Sequence, residues 1–341
     1  SPKVLLAVSV PLLASVITYN YRPHSSFSHF EAAEKKILSA HIKKNSFTLR
    51  DVKISKDQFL HTLMVNEGNQ KKEKPNLVLM HGWSSGLALW GKNIDELAEH
   101  YNVYAIDLLG FGRSHRPFFP RSSEATPEQA KSFWVDSFHE WKLEMFGDEK
   151  IILLGHSLGG FLACTYALEQ PDSLKYVILA APVGIAPFII SPQKGWFRKS
   201  IQHLIWNCGM TPQSILRSFG YFSRRVWDKL GDISQFRGLD KDGWDYLYHA
   251  QMGPPSGDRA FMSILTKEGW AYPLFDKLGG MKVPTRIIYG ERDYINPSFA
   301  PNAMAKLPNA DYKIINNAGH HMYWSHTKEF NLAIINLKQK Q

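Results

Sequence analysis

The 341-residue chain is 44% hydrophobic and 13% aromatic, enough apolar material for a substantial core in one large domain or two ordinary ones. Its formal net charge of +9 favours an anionic surface; no basic low-complexity run, zinc-finger spacing or RNA-binding signature accompanies it, so lipid headgroups fit better than nucleic acid. Cys164 and Cys208 are the only cysteines, which excludes a disulfide framework and suits a reducing compartment, and no Asn-x-Ser/Thr sequon with an allowed middle residue points to the secretory lumen.

Residues 1–29 form an apolar segment and a linker. Val4 to Tyr19, "VLLAVSVPLLASVITY", is uncharged, but it falls short of the ~20 residues of a spanning helix and carries Pro11 in its middle. It reads as a signal-type segment, the remnant of an anchor or a hairpin dipping into one leaflet. A buried core helix fits less well, because helical periodicity is absent and "YNYRPHSSFSH" follows as a linker. An amphipathic helix is expected over Phe30 to Ile42, and Phe47 to Asn66 alternates apolar and polar residues as paired antiparallel strands do.

The texture then changes. "NLVLMHGW", "YNVYAIDLLGFGRS", "KIILLGHSLGG", "YVILAAP" and "TRIIYGERD" are short apolar runs that end in Gly or polar residues and lead into helical pattern. Strands buried on both faces of a parallel sheet have this appearance, and functional residues in such sheets gather beyond the strands' carboxyl ends. Between Gly184 and Leu274 the strand pattern gives way to aromatic-basic segments that hold Trp196, Trp206, Trp227, Trp244 and Trp270, five of the ten tryptophans. The expected organisation is a core over residues 30–183 and 276–341, with a mainly helical cap inserted at 184–275. In the cap, Phe197, Ile201, Leu204 and Ile205 recur at helical spacing beside Arg198 and Lys199. That stripe suits either a headgroup layer or the underside of the cap.

Gly155-His156-Ser157-Leu158-Gly159 matches G-x-S-x-G between an apolar run and a helical stretch. A strand-to-helix turn this tight leaves no room for side chains at the two glycines, and it sets Ser157 at a helix N-terminus, where a developing anion is favoured. A serine hydroxyl needs a base, and the base needs an orienting acid. His320 follows the last strand in "YKIINNAGHH", with Gly319 expected to supply the turn. Adjacent side chains in a loop diverge, so His320 is preferred to His321. Asp293, at the end of "TRIIYGERD", is the expected acid. The backbone N–H groups of Trp83, in "HGW", and Leu158 are the expected oxyanion donors. Asp107 also follows a strand, but the glycines after it read as turn structure. His81 and His156 flank turns, and His203 and His249 lie among cap aromatics; all four read as structural. No spacing argues for a metal, and no cofactor is needed.

The quoted stretches, with "HGWSSGLALW", "YAIDLLGFGRSHRP", "LLGHSLGGFLA", "PSGDRAFMSIL" and "AGHHMYW", resemble one branch of the α/β-hydrolases. It holds N-acyl-phosphatidylethanolamine lipase, the lipid-droplet lipase co-activator and the yeast cardiolipin deacylase. The resemblance runs from about Phe30 to the C-terminus and follows the family's Ser, Asp, His chain order. It implies an α/β fold, with a mostly parallel central sheet flanked by helices and a helical cap. It also implies an acyl-lipid substrate, and a membrane or lipid-droplet surface, with the cytoplasmic face of the ER or mitochondrial membrane as settings. The co-activator has Asn where this chain has Ser157, which favours a hydrolase over a lipase-binding regulator with a lipase partner. The branch's H-x-x-x-x-D motif, linked to lysophosphatidic acid acyltransfer, is broken here: Ser325 stands at that spacing from His320, and His326 from His321. Some relatives carry a second acid where this chain has Asn296.

Overall fold

The computed structural model describes residues 27–55, 57–69, 73–185, 211–231, 239–265, 271, 273–295 and 297–337. Val4 to Tyr19, the stripe from Phe197 to Ile205, His203, Cys208 and Asn296 lie outside the described residues. In chain order the elements are α1 (Phe27–His41), β1 (Phe47–Lys53), β2 (Phe59–Val65), β3 (Asn76–Met80), α2 (Gly91–Leu97), β4 (Asn102–Ile106), α3 (Pro127–Phe146), β5 (Ile151–His156), α4 (Leu158–Glu169) and β6 (Leu174–Ala180). After β6 come α5 (Pro212–Ser218), α6 (Ser223–Gly231), α7 (Lys241–Gln251) and α8 (Ser256–Ser263), then β7 (Thr285–Gly290), α9 (Ala300–Lys306), β8 (Ala310–Ile315), α10 (Met322–Ser325) and α11 (Thr327–Ile335).

The strands form one eight-stranded sheet in the order β1-β2-β4-β3-β5-β6-β7-β8. From β4 through β8 every pairing is parallel. The five apolar runs supply β3 to β7, and every residue of β3, β4, β5 and β7 is buried, as helices on both faces require. β1 and β2 pair antiparallel, from Phe47 opposite Val65 to Lys53 opposite Phe59, and β2 also runs antiparallel to β4. The alternation expected across this hairpin survives only on β1, the edge strand. β2 lies between two strands and is buried from Leu60 to Val65.

Each helix burial pattern follows from its sequence. In α1, Phe30, Ala33, Glu34, Ile37 and Leu38 are buried, one stripe at the i, i+3, i+4, i+7 spacing. The helix begins at Phe27, before the expected Phe30. α3 opens on a capping box in which Thr126 and Gln129 satisfy each other's backbone N–H, with Pro127 in the first turn. α4 is buried from Leu158 to Ala167, because "LGGFLACTYA" is apolar around the whole helix. The four α-helices described between β6 and β7 lie within residues 184–275, and a 3-10 turn at Phe275–Gly280 leads back to β7.

Candidate active site

Ser157 lies between β5 and α4 with φ 54° and ψ −111°, a backbone conformation that costs a non-glycine residue about 1–3 kcal/mol and persists only where neighbours enforce it. Here they do. The Ser157 N–H donates to the Ala180 carbonyl at 2.9 Å, and its own carbonyl accepts from Phe161 and Val183 at 3.1 and 3.2 Å. A Cβ at Gly155 would lie 2.0 Å from the Gly159 carbonyl oxygen, and one at Gly159 would lie 2.7 Å from the carbonyl oxygens of Met80 and His81. Leu158 is the first residue of α4, so its N–H has no partner within the helix.

Asp293 and His320 come from the ends of β7 and β8. The Nδ1 of His320 lies 3.0 and 3.2 Å from the two carboxylate oxygens of Asp293, and both residues are buried. Asp293 also accepts the Ile295 N–H at 2.9 Å, which fixes the carboxylate's orientation. The close passage of the β8 loop over β7 depends on Gly290, where a Cβ would lie 2.4 Å from the Ala318 carbonyl oxygen and 2.5 Å from that of Gly319. The turn expected of Gly319 is not its work: a Cβ there meets nothing, and the left-handed residue is Asn317, at φ 59°. Asn tolerates that region better than most side chains do, and here its Oδ1 accepts a hydrogen bond from the Arg292 guanidinium across the turn at 2.6 Å.

His320 sits against the serine turn. The Nε2–H of His156 donates to the His320 carbonyl at 2.9 Å, and the two rings are 4.6 Å apart. Burial and the neighbouring His320 and His321 hold His156 well below the usual imidazole range, so it is a neutral strut beside the serine. His321 also lies near His156, at 5.3 Å between rings, but its Nδ1 is 3.1 Å from the Tyr323 hydroxyl in place of a carboxylate. The Tyr294 ring covers His320 at 4.4 Å.

The loop after β3 closes the site from the other side. A Cβ at Gly82 would lie 3.0 Å from both Ser157 Cβ and His156 Nδ1, so the backbone of this loop passes directly over the serine. His81 donates from Nδ1 to the Gly82 carbonyl at 2.7 Å and accepts the Leu108 N–H on Nε2 at 3.0 Å. Burial pushes His81 down to about 4, so it stays neutral at 3.7 Å from Asp107 and forms no ion pair. Asp107 is buried, and its carboxylate accepts the N–H groups of Leu87 and Arg113 at 2.8 Å each. The glycines beyond it are indeed turn structure, since a Cβ at Gly112 would strike the carboxyl at 2.0 Å. His249 packs its ring against Phe30 and His29 of α1. Among the described residues, no group of three or more His, Cys, Asp or Glu is placed to hold a metal.

A family model described as alpha/beta hydrolase fold matches residues 75–327. The chain belongs to the α/β-hydrolases. Its relatives include the 1-acylglycerol-3-phosphate O-acyltransferase ABHD5 of Homo sapiens, 33% identical over 91% of this chain and 89% of that protein. They also include the (lyso)-N-acylphosphatidylethanolamine lipase of Homo sapiens, 31% identical over 91% of each. Among solved α/β-hydrolase structures, carboxylesterase CesB of Bacillus subtilis matches with a TM-score of 0.64 at 18% identity, over 90% of this chain and 95% of that one. A membrane phospholipase A matches at 0.61 and 20%, over 97% and 94%. At these identities the structural matches speak for the fold alone.

Residues that sequence reasoning passed over also shape the site of this α/β-hydrolase. Tyr294 covers the histidine, Phe261 stacks on Trp83 at 4.9 Å, and Gln251 bonds Ser84. Tyr294 was within reach, being next to the chosen acid. Phe261 and Gln251 carry no local signal, because their partners lie far away in the sequence.

Proposed function

We propose that this α/β-hydrolase cleaves an acyl ester or amide bond of a phospholipid-like substrate through an acyl-enzyme, with Ser157 as nucleophile, His320 as base and Asp293 as its orienting acid. The observation that carries this reading is the strained, buried serine turn lying beside a histidine whose Nδ1 is held by a carboxylate. With its proton on Nδ1, His320 has the Nε2 lone pair for the serine proton. Ser157 Oγ attacks the acyl carbonyl as that proton moves, and the oxyanion takes the Trp83 and Leu158 N–H groups. The imidazolium then protonates the leaving alcohol or amine. A water molecule repeats the sequence on the acyl-enzyme and frees the acid. No cofactor enters.

The lipid class is supported by the relatives, one named a (lyso)-N-acylphosphatidylethanolamine lipase and one a 1-acylglycerol-3-phosphate O-acyltransferase. Acyltransfer remains the second reading, supported by the ABHD5 relative; it requires an acyl-CoA donor and a lysophospholipid acceptor in place of water. The net charge of +9 and the exposed Phe219, Tyr221 and Phe222 beside Arg225 support action at an anionic membrane or lipid-droplet surface.

Ser157→Ala should abolish hydrolysis of p-nitrophenyl butyrate and labelling by a fluorophosphonate, with an unfolding midpoint close to the parent's. Turnover within a few-fold of the parent would remove Ser157 from the chemistry.

A further inference from the structure

The loop that carries Trp83 has little regular structure of its own. Ser84 sits at φ 61°, a left-handed conformation unusual for serine. Both polar ends of Ser84 are engaged by one side chain from α7. The Ser84 Oγ–H donates to Gln251 Oε1 at 2.9 Å, and the Gln251 Nε2–H donates to the Ser84 carbonyl at 3.1 Å. Ser84 and Gln251 are both buried, so neither bond can be exchanged for water without cost.

Gln251 is itself anchored. Its carbonyl accepts from Arg217 Nη1 at 2.8 Å, and Arg217 Nη2 donates to Asp258 at 2.9 Å, both side chains fully buried. Asp258 lies on α8, and one turn later the same helix presents Phe261, whose ring stacks on Trp83. One turn before Gln251, Tyr246 fills the space beside Gly86 and accepts the Ala88 N–H. Residue 83 is thus held on three sides: Gly82 against Ser157, its ring against Phe261, and the following residue in the grip of Gln251.

We propose that Gln251 is a positioning residue for the oxyanion hole, fixing the Trp83 N–H through its reciprocal hydrogen bonds to Ser84 and so linking the inserted helices to the chemistry. The inference rests on Trp83 as an oxyanion donor. Loss of a whole donor costs about 10²–10³ in kcat, and a donor left in place but poorly aimed forfeits part of that.

Gln251→Met keeps the side chain's length and removes both bonds. It should lower kcat on p-nitrophenyl butyrate by about 10- to 100-fold and change KM by less than about 3-fold. Gln251→Glu supplies the control for simple damage. A protonated carboxyl supplies the one donor and one acceptor that the amide uses toward Ser84. Burial holds that proton to higher pH, while the Arg217 guanidinium on the Gln251 carbonyl and the Arg116 guanidinium on that of Ala250 oppose it. The variant's kcat relative to the parent should therefore be highest at the acid end of the active range and fall as pH rises. A Gln251→Met kcat within about 2-fold of the parent overturns the proposal. So does a Gln251→Glu ratio that stays flat with pH, which would assign Gln251 to folding alone. Failure of the nucleophile reading shows separately, in the activity of Ser157→Ala.

Discussion

His320 and His321 are neighbours in sequence with different surroundings, and a substitution at each separates them. His320 has the Asp293 carboxylate at its Nδ1 and lies against the serine turn, whereas His321 has the Tyr323 hydroxyl. His320→Ala should therefore lower kcat by about 10⁴ or more. His321→Ala should lower it far less, with kinetics on a soluble ester as the check; the reverse order would transfer the role of base. Ser157 and Asp293 were easy to single out because each follows an apolar run that the sequence displays openly, whereas the strand before His320, Ala310–Ile315, is mostly unburied and showed only as a short stretch near the chain's end. The turn over β7 was attributed to the wrong glycine: Gly319 is conspicuous beside the histidines, but the crowding that demands a glycine is at Gly290, and only three-dimensional proximity reveals it. The Ser84–Gln251 pair was invisible for the same reason, since its partners are 167 positions apart.

Among elements, the parallel strands were readable because burial on both faces writes itself as an unbroken apolar run. β2 was less so, because its buried face carries charge. His61 on β2 bonds Asp51 of β1 through Nδ1 at 2.5 Å and Glu34 of α1 through Nε2 at 3.1 Å, and Arg113 reaches the same Glu34 oxygen. Burial opposes a charged imidazole, but the Asp51 and Glu34 carboxylates outweigh it and lift His61 to about 9. A histidine whose folded value lies above its unfolded one adds stability that is complete below about pH 6.5 and lost as pH rises through about 9, here on the order of 3 kcal/mol. Asp107 nearby, lifted by burial and by Glu34 to about 6, titrates below that window. Urea unfolding of the parent should show falling stability from pH 7 to 9.5, and His61→Gln should flatten that slope. Equal slopes in the two proteins would mean that the α1–β1–β2 junction is not held by a charged histidine.

Over the whole molecule, the mostly parallel character of the sheet follows from the alternation of runs, while the strand order and the conformation of the segment after β6 do not. Its helices are set by contacts among themselves, such as Arg217 to Asp258 and Trp227 stacked on Trp244, and with the core, such as Gln251 to Ser84. On its outside, Tyr221 is 90% exposed, and Phe222 lies under the Arg225 guanidinium. A protein of net charge +9 that meets lipid through such a face should bind anionic vesicles less well as salt rises, by up to about 1 kcal/mol for each screened basic contact. Tyr221→Ser with Phe222→Ser should weaken that binding in sedimentation assays and leave hydrolysis of a soluble ester near the parent rate. Undiminished binding would move the lipid contact elsewhere on the surface. The loop beyond β8 also bears on how the protein is made. Synthesis proceeds from the N-terminus, so the serine turn, the Trp83 loop and Asp293 all emerge before His320, and a nascent chain that stops short of β8 lacks the proposed base. If His320 is that base, acyl-cleaving activity should arise only after the last strand has docked, and a fragment ending before β8 should be inactive on p-nitrophenyl butyrate.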